Sequence, residues 1–125
     1  MIVCIPVDEA GLVGPHWGRA ARVAVARVEA GGVASWEEYD VGWDVAHDQG
    51  THGAHHARIA RFLREHGVEA VVAGGIGPGM VQMLAGMGIE LWYGASGPAR
   101  QAVLAVLEPD DEPSSASPSG GTDES

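Results

Sequence analysis

Apolar residues along this chain fall into short runs and partial alternations, punctuated by glycine and proline, and their spacing changes along its length. "IVCIPV" at 2–7 is β-branched, apolar and strand-length, which predicts a buried strand. "DEAGLVGPHWGRA" is a loop broken by glycine and proline. "RVAVARV" then alternates in part, "EAGG" supplies a turn and "VASWEEYDV" returns, so this stretch predicts a hairpin. Beyond it the period becomes helical. Ile59, Phe62, Leu63 and His66 follow i, i+3, i+4, i+7 spacing and predict a helix over about 54–66, with Arg58, Arg61, Arg64 and Glu65 toward solvent and Gly67 as its stop.

From there strand, turn and helix repeat. "EAVVAGG" at 69–75 predicts a buried strand, and "IGPGMVQMLAGMG" a helix with Pro78 in its first turn and Gly88 at its end. "IELWYG" at 89–94 is another strand, and "SGPARQAVLAVL" gives a last helix. Strands alternating with short helices imply parallel pairing, whereas the hairpin implies antiparallel pairing. The expectation is one α/β domain with a mixed five-stranded sheet and three helices, in the order β-β-β-α-β-α-β-α.

Composition sharpens this. A chain of 125 residues, 46% hydrophobic, is long enough for a packed core without disulfides. The lone Cys4 excludes an internal disulfide, fits a reducing cytoplasm and reads as core. "MIVCIPVDEA" lacks a basic region before its apolar run, and no stretch reaches the roughly 18 apolar residues of a membrane span. A soluble cytoplasmic protein without a membrane partner is expected. The net charge of −10 is uneven: residues 108–125 hold six acids and no base, whereas residues 1–107 hold 11 acids and seven arginines. Segment 108–125, rich in Pro, Ser, Gly and Asp, predicts a disordered solubilising tail after a domain at 1–107. A mildly acidic core without a basic patch argues against nucleic acid as the main partner. An exposed sheet edge in so small a domain fits a monomer or a homodimer.

Candidate chemistry gathers where the strands end. In parallel α/β sheets ligands collect at the carboxyl ends of strands, and four loops are expected on that rim, at 8–20, 42–53, 74–79 and 94–98. They carry His16, His47 and His52 and lead into His55 and His56. A helix beginning near residue 52 would bring two or three of its imidazoles onto one side, and imidazole suits zinc, copper, nickel and iron. No Cys-x-x-Cys pair accompanies them, which argues against a closed structural zinc site. "GGIGPG", with Gly74, Gly75, Gly77 and Pro78, lets backbone approach a ligand and precedes a helix start that can receive an anion. It lacks the Lys-Ser/Thr ending of a P-loop and the setting of a dinucleotide fingerprint. Trp17 is the better pocket candidate among the tryptophans, with Trp36 and Trp92 expected in the core; Arg19 can pair an anionic ligand or a surface carboxylate. His66 lies a full helix from the rim and is expected to be structural or exposed. Asp8, Glu9, Asp44 and Asp48 match no nuclease spacing, and Ser96 lacks a nucleophile elbow.

"GPHWGRA", "HGAHHARIARFL" and "GGIGPGMVQMLAGMGIELWYGASG", in that order, resemble the dinitrogenase iron–molybdenum cofactor biosynthesis family, the NifX and NifB C-terminal-like domains. The resemblance covers residues 1–107. It implies a ribonuclease H-like fold without nuclease activity that binds or carries iron–sulfur or iron–molybdenum cluster precursors. It matches His16 to the family's histidine–aromatic–glycine–arginine loop, His52, His55 and His56 to its histidine-rich loop, and Gly74, Gly75, Gly77 and Pro78 to its glycine turn. The function expected is a non-enzymatic carrier of a metallocluster, or of a copper or zinc ion, exchanging it with a donor or acceptor protein. His16, His47, His52, His55 and His56 are its candidate ligands, with Trp17, Arg19 and the glycine turn around the cargo. The alternatives are a protein-interaction or regulatory module without metal and, more remotely, a divalent-metal nuclease.

Overall fold

The computed structural model describes residues 1–30, 32–46 and 52–107. The expected tail at 108–125, and His47 with Asp48, lie outside the described residues. Strand β1 (Ile2–Pro6) is followed by a 3-10 turn at Trp17–Arg19 and by the hairpin of β2 (Arg22–Glu29) and β3 (Gly32–Asp40). A one-turn helix α1 (Trp43–Ala46) and the longer α2 (His52–Glu65) lead to β4 (Ala70–Val72), α3 (Pro78–Gly86), β5 (Glu90–Trp92) and α4 (Ala99–Leu107).

The five strands form one mixed sheet in the order β3-β2-β1-β4-β5. β1 pairs antiparallel with β2 and parallel with β4, so Cys4 lies between Val25 and Val71, and β5 adds parallel to β4. The expected mixed five-stranded α/β architecture is thus present. Its helices number four rather than three among the described residues, because Trp43–Ala46 forms one turn of its own. Four residues are too few to display a helical period.

Strand alternation divides the core. Cys4, Val23 and Val71 face a cluster that includes Trp17, Trp43, Ile59, Leu63 and Leu84, while Val3, Ile5, Ala24 and Val72 face Ala99 and Val103. α2 and α3 therefore cover one face of the sheet and α4 the other. Ile59 and Leu63 are almost completely buried, whereas Arg58, Arg61, Arg64 and Glu65 are exposed, as the spacing predicts. Each such burial stabilises by about 1.5–3 kcal/mol. Phe62 is half-buried and meets Tyr39 and Trp43 edge-on, and the His66 ring lies against Phe62 at a tilt of 39° with centroids 4.3 Å apart. Gly67 takes φ +64° after α2 while the Val68 amide reaches back to the Leu63 carbonyl at 3.0 Å. That closure satisfies a helix-end acceptor and turns the chain into β4.

One expectation needs correction and a second holds in part, since Trp36 packs against the core on the α4 side. Trp92 is 40% exposed instead of core, because β5 is the edge strand and its outer side has no covering layer. Trp36 is half-buried on β3, with the Arg100 guanidinium 4.6 Å above its ring. Cys4 is fully buried, and burial pushes its thiol well above the ordinary range.

Candidate functional site

The segment that follows β1 returns across the sheet and tightens at Trp17–Arg19 after an extended His16. Trp17 drives this placement. Its side chain is fully buried and meets Trp43 edge-to-face, with centroids 5.2 Å apart, while its amide donates to the Gly75 carbonyl at 3.0 Å. With the indole buried, His16 before it and Arg19 two residues after it are exposed at the surface. The Trp17 Nε1 is itself buried without a hydrogen-bond partner.

α2 enters from the other side. His55 and His56 are adjacent in sequence yet a helical rotation of about 100° separates them. His55 lies on the same stripe as Ile59 and is 4% exposed, with Nε2 donating to the Gly18 carbonyl at 2.7 Å. A carbonyl oxygen only accepts, so Nε2 carries the proton. His56 is half-buried and lies over the start of α3, where a Cβ at Gly79 would meet its Cε1 at 3.1 Å.

The glycine turn forms the floor. A Cβ at Gly75 would sit 3.0 Å from the Pro15 carbonyl oxygen and 3.7 Å from His16 Nδ1, so only glycine allows this approach without displacement. Gly77 caps α3 in an extended conformation without a side-chain cap, and Pro78 occupies the first turn. Such a helix start offers first-turn amides to an acceptor.

These segments enclose a cavity of about 530 Å³, with His16, Arg19, His55, His56, Gly75 and Gly77 in its wall beside Trp17, Gly18, Ile76 and Met80. A smaller one of about 290 Å³ lies on the far side of the same turn and shares His16 and Arg19. The structure thus brings together His16, Trp17, Arg19, His55, His56, Gly75 and Gly77. Gly74 and Pro78 are not in the wall. Gly74 instead lies where three backbone segments cross, and a Cβ there would come within 3.2 Å of the Ala95 carbonyl and 3.3 Å of that of Gly14. His52 begins α2, and His47 is outside the described residues. The 94–98 loop does not reach the cavity wall: it packs behind Gly74 and pairs with Leu12 and Val13. Gly18, Ile76, Gly79 and Met80 were not among the expected site residues. For Gly79 a sequence signal existed, as a further glycine in the first turn of the helix after "GGIGP".

Among the described residues, no three His, Cys, Asp or Glu side chains gather as they would around a metal ion. The Asp8 Oδ1 atom accepts from the amides of Ala10 and Leu12, both at 2.9 Å, and so organises its own loop. Hydrogen-bond donors and one guanidinium therefore set the polarity of the cavity, together with imidazole, between apolar walls.

A family model for the dinitrogenase iron–molybdenum cofactor matches residues 1–108. The chain belongs to that family. No curated protein sequence matches this family member significantly. Solved structures resemble it over most of their length. The protein PH0822 has a TM-score of 0.68 at 23% identity, covering 86% of this chain and 90% of its own. The apo form of the orange protein from Desulfovibrio gigas has a TM-score of 0.66 at 29% identity, covering 85% of this chain and 86% of its own. A candidate NifB protein from Thermotoga has a TM-score of 0.64 at 22% identity, covering 86% and 88%. Among the described residues no helix is long and apolar enough to cross a membrane.

Proposed function

We propose that this protein is a non-catalytic carrier that receives a preformed metallocluster of the iron–sulfur or iron–molybdenum kind and passes it to an acceptor protein. The observation that carries this reading is the convergence of His16, Arg19, His56 and the glycine turn on one cavity of about 530 Å³. Family membership gives it context, since the family's description names the dinitrogenase cofactor.

The donor set favours a cluster over a bare ion. A zinc or copper ion in a protein cage needs three or four protein ligands, and no such group exists among the described residues. A metal–sulfide unit brings its own bridging ligands and a negative charge. His16 and His56 then supply imidazole to open metal positions, while Arg19 and the α3 amides face the anionic sulfur surface. Ile76 and Met80 line the cavity with apolar surface. Electrostatics point the same way, because a guanidinium at the mouth attracts an anionic cluster and repels a free dication.

We assign the fold to the ribonuclease H-like type from its antiparallel hairpin joined to parallel β1, β4 and β5. Among the described residues, the rim carboxylates do not form a cluster of three.

Metal and labile-sulfide analysis of protein purified without oxygen tests the proposal, followed by anaerobic addition of a synthetic [4Fe–4S] thiolate cluster to metal-free protein. Iron and sulfide are expected to bind in cluster stoichiometry, with uptake reduced by His16→Ala and by His56→Ala. Uptake of a metal without sulfide would replace the cluster by an ion. Binding of neither would sink the carrier reading and favour a metal-free interaction module.

A further inference from the structure

Of the imidazoles around the cavity, one differs from the others in its surroundings. His55 is 4% exposed, and its Nε2 is already engaged with the Gly18 carbonyl at 2.7 Å. Gly18 is the middle residue of the Trp17–Arg19 turn, so this bond ties the turn to α2. The turn has a second anchor on the opposite side, the Trp17 amide on the Gly75 carbonyl at 3.0 Å. A Cβ at Gly18 would make ordinary contacts with Met80 Cε at 3.8 Å and His55 Nε2 at 3.9 Å, so the turn packs directly against both side chains. The residues flanking these anchors, His16 and Arg19, are the ones that present polar groups to the cavity.

We infer that His55 is a positioning residue, a buried latch that holds the Trp17–Arg19 turn so that His16 and Arg19 face the cargo, and that it does not itself ligate metal. Nε2 donates its proton to a carbonyl and so has no lone pair for a metal, and a cargo bonded there would have to break the anchor of its own cavity wall. The lone pair of this tautomer is on Nδ1, which is buried away from the cavity surface and so out of reach of a cargo. The inference rests on the carrier reading only for its effect on cargo. The latch itself can be read without any cargo.

Two substitutions separate the roles. Glutamine places an amide N–H near the position of the imidazole Nε2–H, so His55→Gln keeps the donor. His55→Leu keeps bulk and removes the donor. Backbone amide exchange at Gly18, Arg19 and Ala20 reports the anchoring of the turn, and anaerobic titration with a synthetic [4Fe–4S] thiolate cluster reports the cargo. His55→Leu is expected to speed exchange at these amides and to weaken cluster uptake, each by about tenfold or more, as loss of a supporting hydrogen bond does around metal sites. His55→Gln is expected to restore both to near wild type.

If His55→Gln protects the turn yet fails to take up cluster, His55 is a ligand and the inference is overturned. If His55→Leu leaves exchange and uptake unchanged, the latch has no function and the inference is equally overturned. Should His55→Leu not fold, His55→Gln against wild type still decides between ligand and latch. Should wild-type protein take up no cluster, the carrier reading fails, and amide exchange alone supports or refutes the latch.

Discussion

Replacing Gly79 by alanine should strengthen the fold and weaken the site at the same time. Gly79 is exposed in the first turn of α3, at negative φ, so alanine fits the backbone there. In a helix interior this exchange stabilises by about 0.8–1 kcal/mol, and roughly half of that is expected in a first turn. For a domain of this size the gain raises Tm by about 2–4 °C. The cost appears across the cavity. The new Cβ would lie 3.1 Å from His56 Cε1, and ordinary contact begins at 3.4 Å, so the ring must move by a few tenths of an ångström. Metal–ligand distances tolerate only about 0.2 Å, which translates into about a tenfold loss of cluster affinity, or about 1.4 kcal/mol. Thermal unfolding monitored by circular dichroism and anaerobic cluster titration measure the two effects on one sample. A stabilised variant that binds cluster as wild type would refute the assignment of His56 to the cargo. A destabilised variant would show that the His56 ring cannot give way to the new Cβ, and would refute the expected gain in stability.

Three further outcomes follow from the packing. Gly74→Ala forces a Cβ against the Ala95, Gly14 and Pro15 carbonyls, and urea unfolding should show a loss of about 1–3 kcal/mol. Leu84→Ala, at a fully buried position between α3 and the sheet, should cost about 2–5 kcal/mol in the same assay while leaving the urea m-value unchanged. The Cys4 thiol should resist alkylation at pH 8 in the native protein and react at once in denaturant. Its folded-state pKa is raised, so its contribution to stability is intact below the unfolded thiol value of about 8.5 and declines as pH climbs above it. A Cys4→Ala variant should lack that alkaline decline.

Most of the scaffold was legible from local pattern because each element carries its own signal. Val3, Ile5, Val71 and Val72 mark strands, and Ile59 with Leu63 marks the buried stripe of α2. What failed depended on partners elsewhere in the chain. Trp92 reads as core until β5 is known to be an edge, and no local feature of "IELWYG" reveals that. The histidines were harder to tell apart. Spacing treats His52, His55 and His56 as equivalents, yet His55 stands four residues before Ile59 and turns inward with it. That apolar partner at i+4 was the available clue. The contact of His56 with Gly79 joins segments 23 positions apart and had no local trace.

The site draws its wall from a turn, a glycine loop and two helix starts, and no residue of the five strands contributes to it. Trp17 and Met80 of this wall also belong to the core, whereas His16 and Arg19 are exposed, so on the proposed carrier reading substitutions at these two positions can retune the site without touching the sheet's packing. Solved structures at 22–29% identity share this fold.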